Sequence, residues 1–216
     1  MIIRKYKASD RKDVELIQLS TYFLGKPIQD LVNDTKGLTD DISYYLEKEP
    51  QSCFVAVDKG KLVGYLLGCL DDKNNVESIA RYFRKSITRL FLLPFMSNKD
   101  RKFWWGMIRV IFTALIGLSE ESKLKAPSDS GHIHINVMPD ARGKGVGTKL
   151  LKEFFRYAES KGVRWIHADS FRTRLNPNSS FWLKNGFKEY SKVKTSIWKA
   201  YYPNEKIFII CYVKEL

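Results

Sequence analysis

Pro139-Asp140-Ala141-Arg142-Gly143-Lys144-Gly145-Val146-Gly147-Thr148 is the stretch on which the fold turns. Glycines at 143, 145 and 147 carry no Cβ, so the main chain can turn tightly there and approach a ligand closely. Beyond them Val146, Leu150, Leu151, Phe154 and Ala158 recur at helical spacing, which predicts a helix over Gly145 to Ser160 with the glycines at its start. A helix N-terminus offers unpaired N–H groups and the positive end of a dipole to an anion. Arg142 and Lys144 add charge, and the chemistry fits a pyrophosphate. Gly131 to Val137 before the turn and Val163 to Asp169 after the helix both read as strands. Strand, helix and strand in that order predict two parallel strands joined by a right-handed crossover.

Competing readings of the glycines are a plain strand-to-helix turn and two nucleotide motifs. A dinucleotide fingerprint requires an acidic residue ~20 positions on at the end of the next strand, and Asp169 arrives late for that. A P-loop requires Gly-Lys-Ser/Thr, whereas Val146 follows Gly145.

Working outward, Ile2 to Lys7 alternates as a strand, and Ser9 or Asp10 caps a helix reaching about Leu24, where Gly25 and Pro27 stop it. A short helix follows Asp40, with Ile42, Tyr45 and Leu46 on one face. Cys53 to Val57 and Leu62 to Leu70 form a hairpin. Between 71 and 130 lie two helical patterns. One carries Ile79, Tyr82, Phe83, Ile87 and Leu90; the other runs from about Asp100 to Leu118. The second is apolar on two faces, Trp105 with Ile108, Phe112 and Leu115, and Trp104 with Met107, Ile111 and Ala114. Such a helix must be buried by something. After Asp169 come a short helix, Ser179 to Lys184, and strands at about Phe187 to Trp198 and Lys206 to Val213. The expected class is α/β, bordering on α+β, with a mixed sheet. We read residues 1–216 as one domain carrying a helical insertion at about 71–130.

The chain has 216 residues, 44% of them hydrophobic, enough to bury a core. Its formal charge of +13 favours anionic partners, whether a phosphorylated cofactor, nucleic acid, acidic lipid or an acidic substrate. Cys53, Cys69 and Cys211 sit in apolar runs with no C-x-x-C pair, as expected of reduced thiols in the cytoplasm. The N-terminus lacks the apolar core of a signal peptide. Phe103 to Leu118 falls short of the ~20 residues a spanning helix needs and contains Arg109, so no transmembrane segment is expected.

Arg142-Gly143-Lys144-Gly145-Val146-Gly147 matches the R/Q-x-x-G-x-G signature of the GNAT-superfamily N-acetyltransferases, and the preceding Val137-Met138-Pro139-Asp140-Ala141 is similar to their strand-end. Asn178-Ser179-Ser180-Phe181-Trp182-Leu183-Lys184-Asn185-Gly186-Phe187 resembles the family's second motif, a short helix ending in Gly-Phe. The element order matches outside 71–130. The resemblance implies a mixed, mostly antiparallel sheet of about seven strands, with the insertion between the third and fourth. It places acetyl-CoA, as acetyl donor, between the splayed strands Gly131–Val137 and Val163–Asp169. The main chain near Asn136 and Val137 would pair with the pantetheine arm, and the N–H groups of Arg142, Gly143, Lys144, Gly145, Val146, Gly147 and Thr148 would meet the pyrophosphate. Asn178, Phe181 and Trp182 would complete the cofactor site. A backbone N–H on the fourth strand would polarise the thioester carbonyl, and a primary amine would attack it directly in a ternary complex.

Alternation places His132, His134 and Asn136 on one face of that strand. His134, with a reference pKa of ~6.5, is the candidate to accept the proton that an ammonium must lose before attack. His132 is the substitute, directly or through water. The competing reading is that both are satisfied by neighbouring polar groups and only shape the cleft. His167 falls in the same neighbourhood, yet no ligand spacing supports a metal site. The family's tyrosine, which protonates the leaving thiolate, is replaced here by Trp182, whose indole cannot supply a proton near neutral pH. Tyr190 is the first candidate to stand in for it, with Tyr201 and Tyr202 behind. The insertion offers four readings: a lid over a small-molecule or peptide amine acceptor, a homodimer interface, an interfacial membrane helix, or extra core. An alternative to catalysis is an acyl-CoA-binding or nucleic-acid-associated module that keeps the fold.

Overall fold

Segments rich in β-branched and aromatic residues form the strands of this chain, and helices with one apolar stripe cover both faces of the sheet they form. The computed structural model describes residues 1–70, 91–115, 123–174, 179–196, 198 and 201–216. In chain order the main elements are β1 (Ile2–Lys5), α1 (Arg11–Thr21), α2 (Asp40–Lys48), β2 (Phe54–Asp58), β3 (Lys61–Cys69), α3 (Asn98–Leu115), β4 (Ser130–Val137), α4 (Val146–Ser160), β5 (Trp165–Arg172), α5 (Ser179–Lys184), β6 (Lys188–Thr195) and β7 (Ile207–Glu215). The seven strands form one sheet in the order β1-β2-β3-β4-β5-β7-β6. Only β4 and β5 run parallel; every other neighbouring pair is antiparallel. The mixed, mostly antiparallel seven-stranded sheet expected from the sequence is the one observed.

Three clusters of buried side chains hold the layers together. On one face Leu150, Leu151, Phe154 and Ala158 of α4 pack against Phe54, Leu66, Ile133, Ile166 and Ile210. Close approach is built in at Gly68 of β3, where an added Cβ would fall 2.1 Å from the Phe154 ring. On the opposite face Val14, Ile17, Ile42, Tyr45 and Leu46 of α1 and α2 meet Val55, Tyr65 and Leu67. Beyond one end of the sheet, Phe103, Trp104 and Met107 of α3 meet Phe23, Ile28, Val32 and Leu38 from the α1–α2 connection, with Trp198 and Ile207 beside β7. Each fully buried aliphatic or aromatic side chain contributes about 1.5–3 kcal/mol.

Several boundaries differ from the sequence expectation, each for a local reason. α1 stops at Thr21 rather than Leu24 because Leu24 and Gly25 take φ of 50° and 84° and turn the chain back. α3 begins at Asn98 because Ser97 caps it, its Oγ accepting the Asp100 N–H at 3.2 Å. β5 begins at Trp165 rather than Val163, whose N–H is still bonded to Ala158 O at the end of α4. The expected burial of both faces of α3 is corrected: Trp104 is buried, whereas Trp105 and Phe112 are 60% and 59% exposed. The helix expected around Ile79 to Leu90 lies outside the described residues. Cys53, Cys69 and Cys211 are buried thiols, none of them in a disulfide. Among the described residues no helix is long and apolar enough to cross a membrane.

Candidate active site

β4 and β5 begin as neighbours and then part. Ser130, Gly131 and His132 pair with Trp165, Ile166 and His167, and no pairing follows. Beyond His132 each strand stays bonded on its outer side, β4 to β3 and β5 to β7. A wedge therefore opens in the middle of the sheet, and the glycine turn lies at its wide end.

Met138 N–H donates to Val63 O at 2.9 Å and starts that turn. Gly143 and Gly145 both take φ of 74°, in the left-handed region that a side chain disfavours, and Gly145 is the N-cap of α4. Lys149 N–H to Gly145 O, 3.0 Å, is the first helical bond. Among the described residues the amides of Gly143, Lys144, Gly145, Val146, Gly147 and Thr148 bond to no other group. That is the donor set a diphosphate requires, so the residues present fit the phosphorylated end of acetyl-CoA. Arg142 departs from the expectation. Its N–H donates to Pro139 O at 3.2 Å, and its guanidinium donates to Val137 O at 3.1 Å and Gly25 O at 3.0 Å. Arg142 thereby ties the turn to the end of α1. Lys144 is exposed, and the Val146 side chain belongs to the core.

α5 docks on the turn through Phe181, whose ring would lie 2.8 Å from a Cβ on Gly147. Trp182 is 5% exposed and stacks on Tyr212 at 5.7 Å, with Phe187 edge-on at 5.0 Å. The indole thus sits in the core. Asn178 lies outside the described residues.

The polar face of β4 looks toward α1 and α2. His132 Nδ1 is 2.6 Å from Tyr45 Oη, and its ring lies 4.9 Å from that of His167. Burial, followed by the nearness of His167 and His134, holds His132 well below the usual histidine range. Burial lowers His134 to about 4. Both rings are therefore neutral at physiological pH. His134 Nε2 lies 3.1 Å from Gln18 Oε1 and 3.1 Å from Asn136 Nδ2, and Asn136 Nδ2 reaches Tyr65 Oη at 2.8 Å. Tyr65 in turn donates to Gln18 Oε1. Gln18 Nε2 donates to Asp41 Oδ2 at 3.0 Å, and burial pushes the Asp41 carboxyl up to about 7.

His132, His134 and Asn136 are thus brought together at the wedge. Tyr190 is not: it is 55% exposed at a register shift in β6, the strand at the far edge of the sheet. Tyr201 and Tyr202 pack around Phe23, with ring centroids at 5.8 and 5.4 Å, beside the third core. Among the described residues no three His, Cys, Asp or Glu side chains converge to hold a metal ion. Sequence reasoning missed Gln18, Asp41, Tyr45 and Tyr65. Gln18 left one trace, a polar side chain at inward helical spacing with Val14, Ile17 and Thr21.

Comparison with known proteins bears on the family and the fold. Residues 18–187 match the Acetyltransferase (GNAT) family. A stretch of 55 residues is 38% identical to the tRNA(Met) cytidine acetyltransferase TmcA 2 of Saccharolobus solfataricus, covering 26% of this chain and 7% of that protein. The crystal structure of SsHAT superposes with a TM-score of 0.62 at 21% identity, over 99% of this chain and 97% of that one. An agmatine N-acetyltransferase gives 0.61 at 14% identity, over 100% and 99%. At those identities the two structures speak to the fold alone. Matched by the family across most of its length, the chain belongs to the Acetyltransferase (GNAT) family.

Proposed function

We propose that this protein transfers the acetyl group of acetyl-CoA to a primary amine by direct attack in a ternary complex. One observation carries the reading: the parting of β4 from β5 beyond the His132–His167 pair, with the unbonded amides of Gly143 to Thr148 at the open end. Acetyl-CoA supplies the activated thioester. The wedge holds its arm along β4 near Asn136 and Val137, and the amides take the diphosphate. Phe181 borders the same end, and the charge of +13 favours the anionic donor.

On the α1–α2 side, His134 takes the proton that the ammonium must lose, with His132 close behind it. Being neutral, both rings have a lone pair available at any pH near 7. Trp182 is buried and has no acidic proton, so the thiolate leaves without help from that position. The acceptor is a small or peptide amine. The agmatine relative acts on an amine of that small class.

The test is thiol release from acetyl-CoA with a panel of primary amines, together with calorimetry of CoA binding. The protein should bind CoA and release thiol only when an amine is present. Gly145→Val, which forces a β-branched residue into the left-handed region, should weaken CoA binding about ten-fold or more. No CoA binding by the wild-type protein, or unchanged binding by the variant, would overturn the assignment.

A further inference from the structure

The contacts between Asp41 and His134 place the hydrogen atoms one after another. Asp41 Oδ2 lies 3.0 Å from one terminal atom of the Gln18 amide. Asp41 accepts at Oδ2 both as the carboxylate and as the acid with its proton on Oδ1, so the Gln18 amide turns its NH2 toward Asp41 and its carbonyl toward the sheet. The opposite orientation would set oxygen against oxygen at Asp41 and NH2 against NH2 at Asn136. Gln18 Oε1 then faces Tyr65 Oη, Asn136 Nδ2 at 2.9 Å and His134 Nε2 at 3.1 Å.

Asn136 has two amide hydrogens, and its two shortest contacts, Tyr65 Oη at 2.8 Å and Gln18 Oε1 at 2.9 Å, use them. A bare Nε2 on His134 would direct its lone pair at the Gln18 carbonyl oxygen. A protonated Nε2 donates to it instead. The neutral imidazole has one N–H, so Nδ1 is left with a lone pair. Among the described residues Nδ1 makes no hydrogen bond.

We propose that Asp41 and Gln18 are positioning residues that fix His134 as the Nε2–H tautomer, making Nδ1 the atom that takes the acceptor's proton. The second half of this proposal rests on the reading of His134 as the proton acceptor. In the step, one N–H bond of the substrate ammonium breaks and its electron pair stays on nitrogen, which becomes the nucleophile. The proton adds to Nδ1, directly or through one water. The imidazolium keeps its Nε2–H on Gln18 Oε1, whose partial negative charge is aimed at the ring because Asp41 holds the other end of the amide. The Nδ1 proton then passes to the departing thiolate or to solvent, and the ring is restored. Burial makes His134 a reluctant base, and an oriented carbonyl at Nε2 offsets part of that reluctance without adding a net charge.

The tautomer is read directly from long-range proton–nitrogen correlation spectra of the imidazole rings in uniformly labelled protein without CoA. The chain has three histidines, and His134→Gln identifies the signals. The wild-type ring should show a pyrrole-type Nε2 and a pyridine-type Nδ1. Gln18→Leu removes the carbonyl and leaves Asn136 as the donor to Nε2, so the ring should switch to Nδ1–H. In the same variant kcat should fall roughly ten- to hundred-fold with KM for acetyl-CoA little changed. Asp41→Asn keeps an acceptor oxygen for Gln18 and should retain the wild-type tautomer and most of kcat, whereas Asp41→Ala should give mixed tautomers and an intermediate kcat. A wild-type ring in the Nδ1–H form overturns the proposal even if Gln18→Leu does not fold, and so does a Gln18→Leu ring that keeps Nε2–H. An Nε2–H ring in a protein that transfers no acetyl group would sink the catalytic reading and the role given to Nδ1, while the wrong tautomer in an active enzyme would sink this proposal alone.

Discussion

Trp182 occupies the position where the family's tyrosine would stand, and its surroundings determine what it can do there. The indole lies parallel to Tyr212 and edge-on to Phe181 and Phe187 on the α4 side of the sheet. Trp182→Tyr would leave part of that space empty and put a hydroxyl among apolar rings. Denaturant unfolding should show a loss of about 1–3 kcal/mol, with no gain in kcat. A clear rise in kcat would mean that a hydroxyl at this position reaches the leaving thiolate after all. Single residues were legible in the sequence where a local rule applies to them. Gly143 and Gly145 are read from the conformation a turn demands, and His132, His134 and Asn136 from strand alternation. Gln18 and Asp41 follow no such rule. They meet the polar face of β4 only because α1 and α2 fold over it, and Gln18 stands more than a hundred positions from its partner His134.

At the scale of elements, the donor site depends on how α5 meets the start of α4. Gly147 lets the Phe181 ring settle against the helix, and a Cβ there would stand 2.8 Å and 3.0 Å from two of its carbons. Gly147 is helical, so alanine is acceptable to the backbone and the strain falls on the contact. Gly147→Ala should therefore displace α5 and raise KM for acetyl-CoA roughly three- to ten-fold, leaving KM for the amine nearly unchanged; steady-state kinetics with each substrate varied in turn would separate the two. An equal effect on both constants would show that α5 shapes the acceptor side as well. The helices and strands themselves were visible as periodicities, with ends displaced by two or three residues where a cap or a φ near +60° intervened. What periodicity could not assign was the partner of each apolar face. α3 is apolar on both sides, yet among the described residues Phe103, Trp104 and Met107 are buried while Trp105 and Phe112 stay exposed, and the partner of the buried side comes from segments before β2 and after β6.

Across the whole molecule, the buried polar network makes stability depend on pH in two opposing ways. His134 titrates near 6.5 when unfolded and at about 4 when folded; His132 is shifted in the same direction. The unfolded chain thus binds more protons in that window, so these two rings favour the fold above pH ~6.5 and lose that contribution as the pH falls toward ~4. Asp41 does the reverse. Its carboxyl titrates near 3.8 as an isolated group and at about 7 in the fold, so the folded protein holds the extra proton between those values. Its contribution is therefore present below pH ~3.8 and is lost as the pH rises from there toward 7, on the order of a few kcal/mol in all. Asp41→Asn is neutral at every pH and keeps an oxygen for Gln18. Its Tm should exceed that of the wild type slightly at pH 5, where the unfolded chain alone has lost the Asp41 proton, and by several degrees more at pH 8. A Tm difference that does not change between pH 5 and pH 8 would mean that the carboxyl is ionised throughout, solvated or paired in the fold. The desolvated pocket between α1, α2 and β4 would then be wetter than its packing indicates, and the low basicity assigned to His134 would have to be revised with it.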